Sequence, residues 1–274
     1  MLLTLIALLS ALTAAGSLLA GGAWYFLPLM LLGGFLGWLI LAFLFLVVVV
    51  ALPDHQTDRQ TDSRFYRAVT DLYIELIITL VGIRFETKGF ENRPKGGRFL
   101  LVSNHLHEID PAILMHFFPK AQLAFIAKKE AADMFLVGNL LPRILGQYIN
   151  RENDREALKT ILKCIALLKG NEASVGVFPE GGINAQRKLK HLKPGVFKIA
   201  QKAKVPIVVC TLRNTQHVVS NLLKMKRTTV TVRLLAVVEP AWMEDKTTVE
   251  IADHVYGIMA RDLGPENLYV EENA

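Results

Sequence analysis

Residues 1–53 contain no Asp, Glu, Lys, Arg or His. Average usage of about 25% charged residues would put roughly a dozen there. All 31 Lys and Arg and all 25 Asp and Glu of the 274-residue chain follow Pro53. A stretch so depleted cannot form an ordinary solvated surface. The chain therefore divides into a membrane anchor, residues 1–53, and a basic globular part, residues 54–274, long enough for one core. Within the anchor, residues 2–20 and 27–52 are two apolar runs, and about 20 apolar residues suffice to cross a bilayer core of about 30 Å. Gly21-Gly22 marks a turn between them, and Trp24 and Tyr25 suit a membrane interface. A helical hairpin with both ends on one side follows. The spacing of Ala7, Ala11 and Ala15, and of Gly33 and Gly37, offers a close-packing seam. A cleaved signal peptide is the competing reading; the missing basic leader and the second long run weigh against it.

Arg59, Arg64 and Arg67 follow the second run, and the hairpin tip carries no cation. This bias puts the globular part in the cytoplasm of an integral membrane protein. Two cysteines exclude a disulfide scaffold and a four-cysteine zinc site, and agree with a reducing compartment. Cys164 falls in a helical pattern and Cys210 in a strand pattern, both as core residues. Residues 64–81 read as a helix whose charges Arg64, Arg67, Asp71 and Glu75 make one stripe. It either packs on the domain or lies in the membrane interface.

From residue 83 onward, short apolar runs alternate with helical patterns. Strands are expected at 83–87, 99–103, 123–127, 147–149, 174–178, 205–211 and 229–238. Helices are expected at 111–118, 131–145, 154–169, 195–203 and 247–260. The fold class is α/β, a layered, mostly parallel sheet with flanking helices behind an N-terminal apolar hairpin. Several strands end on functional groups, at Asn104-His105, at Lys128 and at Glu180-Gly181-Gly182. In α/β sheets, sites gather beyond the carboxyl ends of strands, so one sheet edge is the candidate site.

His105 and Asp110 lie five residues apart in Ser-Asn-His-Leu-His-Glu-Ile-Asp-Pro. A neutral imidazole can take a hydroxyl proton near pH 7, and a carboxylate on its other nitrogen fixes the tautomer and stabilises the cation. Asp110 before Pro111 equally reads as a helix N-cap. No Ser or Cys sits in a G-x-S-x-G elbow, so the pair would activate a substrate hydroxyl rather than an enzyme nucleophile. His107 and Glu108 suggest a metal, but no matching ligand cluster is visible elsewhere, and no metal is expected.

Asn104-His105-x-x-x-x-Asp110 resembles the first motif of the glycerolipid acyltransferases, the 1-acylglycerol-3-phosphate (lysophosphatidic acid) acyltransferase family. Phe178-Pro179-Glu180-Gly181-Gly182 resembles its third motif. The run from Gly146 to Arg151 is similar to its second, and the run from Lys204 to Val208 to its fourth. Ala127-Lys128-Lys129-Glu130 also fits, and the motifs stand in the family's order across about half of the chain. The resemblance implies an O-acyltransferase of phospholipid biosynthesis. Its co-substrate would be acyl-CoA or acyl carrier protein, with no other cofactor. Its acceptor would be a lysophospholipid, above all 1-acylglycerol-3-phosphate. His105 would be the general base and Asp110 its orienting partner. Asn104, Lys128, Arg151, Glu180, Gly181 and Gly182 would bind substrate, Lys128 and Arg151 through the acceptor's phosphate. On physical grounds alone, the thioester oxyanion needs a donor, and backbone N–H groups near Gly181-Gly182 are the candidates.

One departure stands out. The family's third motif usually continues Thr-Arg-Ser, whereas this chain has Gly182-Ile183-Asn184, with Ile183 in the arginine's place. Either the acceptor differs, or Arg187 or Lys188 reaches in from further along. In the second motif Asn150 stands where an acid is common. Residues 187–204 carry seven cations and no acid, against a net charge of +6 for the whole chain. Without interleaved aromatics this segment suits lipid headgroups or substrate phosphates rather than nucleic acid. A different lipid acceptor and a non-catalytic membrane-binding protein are the alternative functions.

Overall fold

The computed structural model describes residues 1–53 and 59–270. Chain order is α1 (Leu2–Leu19), α2 (Leu27–Ala51), α3 (Arg64–Val81), β1 (Ile83–Lys88), β2 (Leu100–Val102), α4 (Asp110–Phe117), β3 (Ala124–Lys128), α5 (Phe135–Arg143), β4 (Gln147–Ile149), α6 (Asp154–Lys169), β5 (Val175–Val177), α7 (Lys198–Ala203), β6 (Ile207–Arg213), α8 (Val218–Leu223), β7 (Thr228–Val238), α9 (Pro240–Met243) and α10 (Thr248–Leu263). The strands form one sheet in the order β1-β7-β6-β2-β5-β3-β4. Among the described residues only β6 and β7 pair antiparallel, and every other strand pairing is parallel. The central strands β2, β5 and β6 are buried almost throughout, so their apolar runs are continuous rather than alternating.

Two apolar layers cover the sheet. On one face Phe197, Ile199, Ile251, Val255 and Met259 pack against β2, β5 and β6. On the other Ile113, Leu114, Ile74 and Ile78 close over Leu101, Val208 and Val230. Local chemistry sets the helix ends. Thr247 and Glu250 form a capping box on α10, Asn153 caps α6, and Gly82 closes α3 in the left-handed region.

The helix α3 packs on both the domain and the apolar hairpin. Ile74 and Ile78 join the sheet core, while Val69, Tyr73 and Leu76 meet Ile6, Leu46, Val49 and Val50 of the apolar hairpin. The charged stripe is not wholly solvated. Arg67 turns inward, with Nη1 donating to the Leu123 carbonyl (2.9 Å), Nη2 to the Ile144 carbonyl (2.9 Å) and Nε to Asp62 (2.9 Å). Arg143 at the end of α5 donates to the carbonyls of Val49 (2.8 Å) and Leu52 (2.5 Å), satisfying acceptors that the end of α2 leaves open.

Both N-terminal helices are long and apolar enough to cross a membrane, and only 17% of each is buried, so neither is the core helix of a globular domain. Their seam differs from the expected one. Gly33 and Gly37 face open space, and it is Gly34 that lies against Ser10 and Thr13. Ala7, Ala11 and Ala15 are exposed, while Ile6, Ser10 and Ala14 are buried. Two expected helices are also revised. Residues 131–145 split into a 3-10 turn, Lys129–Asp133, and α5; residues 195–203 begin as a 3-10 turn, Pro194–Phe197, before α7. Cys164 and Cys210 are buried free thiols, pushed up by desolvation, Cys164 to about 12.

Candidate active site

The carboxyl ends of β2, β5, β3 and β4 lie along one edge, and the turn after β2 carries His105. Asp110 is fully buried. Its Oδ2 accepts from His105 Nδ1 (2.9 Å), from the Leu106 N–H (2.6 Å) and from the His107 N–H (2.9 Å). The expected N-cap role is therefore corrected. Ile109 occupies the N-cap position, Asp110 opens the helix, and its carboxylate faces back to organise the turn before it. With Nδ1 engaged, the proton-accepting nitrogen left to the imidazole is Nε2. The His105 side chain is 17% exposed, so the ring is reachable though its partner is not.

The ring is also held by its face. It stacks on Phe178 with centroids 4.0 Å apart and planes at 13°, and Phe178 stacks in turn on Phe125. This sandwich needs Gly176 in the middle of β5. A Cβ there would lie 2.5 Å from the Phe125 ring. A glycine inside a strand marks such a close approach.

Glu180 supports the turn from β5. Its Oε1 accepts the His105 N–H (2.8 Å) and its Oε2 the Lys190 N–H (2.9 Å). Burial pushes its carboxyl up to about 7, against the pull of those two N–H donors. Glu180 thus touches the main chain of the base. Asn104 does likewise on the other side. It is buried, its Nδ2 donates to the Leu212 carbonyl (2.9 Å), and its Oδ1 accepts the Leu212 N–H (2.8 Å). Both ends of the expected substrate contact are committed to β6, so Asn104 ties β2 to β6.

Gly181 and Gly182 take positive φ values of 88° and 145°, which glycine adopts freely. The Gly181 N–H donates to the Phe178 carbonyl (3.2 Å), so it is not free for an oxyanion. The Lys193 side chain crosses Gly181, and Arg151 Nη1 is 3.7 Å from the position a Cβ on Gly182 would take. Arg151 is exposed to solvent, yet desolvation by its surroundings lowers its pKa, with Glu130 opposing that shift. Lys128 is exposed at the end of β3, in register with Ile149, two residues before Arg151. Arg151 and Lys193 therefore flank the glycine loop, Lys128 stands at the neighbouring strand end, and Lys193 belongs to the basic run that follows the motif.

Arg187 reaches the base's turn, its Nη1 donating to the Leu106 carbonyl. Lys188 is held by its main chain to Asn184. Asn150 donates to Glu156 (2.8 Å) instead of carrying charge into the site. His107 Nδ1 accepts the Ile109 N–H (3.2 Å). Among the described residues no group of three or more His, Cys, Asp or Glu is arranged to hold a metal.

Residues 84–213 match the acyltransferase family model. The 1-acyl-sn-glycerol-3-phosphate acyltransferase of Borreliella burgdorferi is 30% identical over 145 residues, 53% of this chain and 57% of the relative. The human 1-acyl-sn-glycerol-3-phosphate acyltransferase alpha is 27% identical over 181 residues, 66% of this chain and 61% of the relative. The chain spans about half to three fifths of the length of the first curated relatives it matches. The crystal structure of the 1-acyl-sn-glycerophosphate (LPA) acyltransferase PlsC from Thermotoga maritima superposes with a TM-score of 0.61 at 21% identity, over 80% of this chain and 86% of that one. The matched span, just under half of the chain, holds the His105–Asp110 pair, the Glu180 loop and the sheet edge that carries them, and over it the chain is similar to the acyltransferase family.

Proposed function

We propose that this chain moves a fatty acyl group from a thioester donor, acyl-CoA or acyl carrier protein, to the free hydroxyl of 1-acylglycerol-3-phosphate. The observation that carries the reading is the His105 imidazole, reachable at the sheet edge and bonded through Nδ1 to a fully buried carboxylate. His105 Nε2 accepts the proton of the acceptor hydroxyl as its oxygen attacks the thioester carbonyl carbon. The carbonyl π pair moves to the oxygen, and Asp110 stabilises the imidazolium that forms. When the tetrahedral intermediate collapses, the C–S bond breaks. The thiolate recovers the proton from Nε2, leaving an ester and a free thiol. Lys128, Arg151 and Lys193 supply positive charge for the acceptor's phosphate, and N–H groups at or beyond Gly182 are candidates for the oxyanion.

The anchor, residues 1–53, would hold the catalytic part, residues 54–274, on the cytoplasmic side of the membrane, where the lipid acceptor lies. The cations after the second apolar helix support that orientation.

The test is purified protein with a radiolabelled acyl donor and a panel of lysophospholipids. Transfer to lysophosphatidic acid that is abolished in His105→Ala supports the reading; transfer that survives His105→Ala unchanged rejects it. Ile183 motivates the second reading, a different lipid acceptor. A preference for another headgroup in the same panel selects it. Liposome binding with no turnover of any donor selects a non-catalytic membrane protein.

A further inference from the structure

The helix α8 buries Val218 in the sheet core and turns Val219, Leu222 and Leu223 outward, a spacing that makes one helix face. The turn that follows adds Met225, 96% exposed, among the exposed cations Lys224, Lys226 and Arg227. Residues 214–238 contain no Asp or Glu. Single exposed apolar residues are ordinary, but a cluster of them edged by cations of one sign marks a surface for contact. The turn is also held in shape. The N–H groups of Lys224 and Lys226 donate to the Asn221 carbonyl (3.0 and 2.8 Å), and that of Met225 to the Leu222 carbonyl (2.9 Å). Met225 takes a left-handed φ of 53°, disfavoured for a residue with a Cβ. With those three donors satisfied internally, the turn can enter a poorly hydrated layer without leaving them unpaired.

Its place in the fold says what it meets. β2 and β6 are parallel, so α8 leaves β6 at the sheet end where His105 leaves β2. β7 begins at that end, beside the end of β6, and Ile83 pairs with Thr228, so α3 also ends there. The hairpin heads the same way. Arg143, over the Tyr66 ring near the start of α3, binds the carbonyls of Val49 and Leu52, while Tyr73, further along α3, donates to the Ala42 carbonyl (2.5 Å). The helix α2 thus runs antiparallel to α3. At about 1.5 Å per residue, α2 extends about 22 Å from Ala42 back to Leu27, and α3 about 12 Å from Tyr73 to Val81. The hairpin therefore outruns α3 by roughly 10 Å past the end that carries His105. The α3 stripe that meets the hairpin, Val69, Tyr73 and Leu76, continues outward through the exposed Ile77 and Leu80. The Arg227 side chain then lies 3.7 Å from where a Cβ on Gly82 would stand. The apolar surface of the hairpin is thus carried by α3 to the α8 turn.

We propose that residues 219–227 are a second membrane contact, which docks on an anionic lipid leaflet with Leu223 and Met225 in the interface and Lys224, Lys226 and Arg227 at the headgroups. The inference rests on the reading that the hairpin enters a membrane, and adds how the domain is held against it. With the hairpin and the turn both engaged, the sheet end that carries His105 faces the lipid surface. A cation near an anionic surface is worth about fivefold in affinity, so the three together give roughly a hundredfold, which a zwitterionic surface lacks.

The experiment places a fluorophore on single introduced cysteines of the full chain, reconstituted into vesicles of phosphatidylcholine mixed equally with phosphatidylglycerol, with nitroxide lipids as quenchers. The two native thiols are buried and stay unlabelled. Leu223→Cys and Met225→Cys report on the turn, and Leu36→Cys on the hairpin. Val249→Cys is the control: Thr211 bonds Asp262 near the end of α10, so the exposed Val249 at its start lies toward the opposite end of the sheet. Both turn probes should be quenched and the Val249 probe should not. Lys224→Gln, Lys226→Gln and Arg227→Gln together should lower the ratio of docked to undocked turn roughly a hundredfold, removing quenching at the turn and sparing it at Leu36. Phosphatidylcholine alone should do the same. Turn probes left unquenched beside a quenched Leu36 probe, equal quenching at Val249, or quenching that survives the substitutions overturns the proposal. If the triple variant does not fold, Lys224→Gln with Lys226→Gln, which keeps Arg227 beside Gly82, decides, with an expected drop of about 25-fold. If the Leu36 probe is itself unquenched, the anchor reading has failed. Sedimentation with phosphatidylglycerol vesicles then judges the turn by itself: binding weakened at least about fivefold by the substitutions supports it, and absent or unaltered binding overturns it.

Discussion

Replacing Asp110 by Asn separates the charge of the carboxylate from its geometry. Oδ2 makes all three hydrogen bonds of the carboxylate, to His105 Nδ1 and the N–H groups of Leu106 and His107, while Oδ1 is buried without a partner. An asparagine with its carbonyl oxygen at the Oδ2 position keeps every acceptor role and puts its NH₂ where Oδ1 was. The turn and the His105 tautomer should persist, at a cost of about 1–3 kcal/mol for the unsatisfied buried amide. What disappears is the charge. At an effective dielectric constant of about 20, unit charges at the 2.9 Å separation of Nδ1 and Oδ2 attract by about 6 kcal/mol. The imidazole is partly exposed, so water screens some of this, and about 3–5 kcal/mol remains to stabilise the imidazolium. That corresponds to a loss of roughly 10² to 10⁴ in kcat. Single-turnover acyl transfer, with a melting curve to establish folding, measures it. A folded Asp110→Asn protein with kcat within about tenfold of the native sequence would refute the claim that the carboxylate acts through its charge.

Glu180 gives a pH-dependent prediction. Its folded pKa, about 7, lies above the ordinary 4.5 of an unfolded chain, so its contribution to stability is complete below about 4.5 and lost as pH rises through about 7. Glu180→Gln should flatten the melting temperature over that window, removing a fall worth at most about 3 kcal/mol; an undiminished slope refutes the assignment. Gly176→Ala forces a methyl into the Phe125 ring and should cost about 1–3 kcal/mol in denaturant unfolding, with kcat falling more than the acceptor KM rises. Arg143→Met strips two carbonyls at the end of α2 of their donor and should cost roughly 2–4 kcal/mol, read as a lower melting temperature in detergent with little effect on donor preference.

The sheet was legible because its inner strands are buried on both faces and so read as unbroken apolar runs between polar stops. All seven strands lie within two residues of the expected bounds, the outer strands β1 and β4 without an unbroken apolar run. What escaped depended on contacts across long stretches of chain. Asn104 sits in the motif yet spends both polar ends on Leu212, 108 residues away, and no local pattern announces that. The glycine in Val-Gly-Val hints at a close approach, but Phe125 as its occupant, and Phe178 and His105 as the next rings, follow only from strand order. In the hairpin, Ala and Gly are so frequent that spacing cannot choose a face; the choice of Gly34 over Gly33 and Gly37 comes from where Ile6 and α3 pack. Asp110 reads as an N-cap because Asp-Pro opens many helices, and only the fold shows the carboxylate turned toward the preceding loop.

These long-range contacts converge on one imidazole and lead to a last prediction. The His105 ring is fixed at Nδ1 by Asp110 and on its face by Phe178. Its main chain is fixed by Glu180 from the β5 side, by Asn104 through β6, and by Arg187 at the following carbonyl. Each constraint sets where Nε2 points, and an error of about 1 Å in the position of a reacting group can cost on the order of a hundredfold in rate. Phe178→Leu removes the stacked ring while keeping an apolar side chain in its place. If the stack acts by aiming the imidazole, kcat should fall roughly tenfold or more, and KM for donor and acceptor should hold within about twofold. The pH at which activity is half-maximal should stay where it is, because the Asp110 bond is untouched. A Phe178→Leu protein that raises KM and spares kcat would instead make Phe178 part of the substrate's binding wall, and the aiming argument would fail.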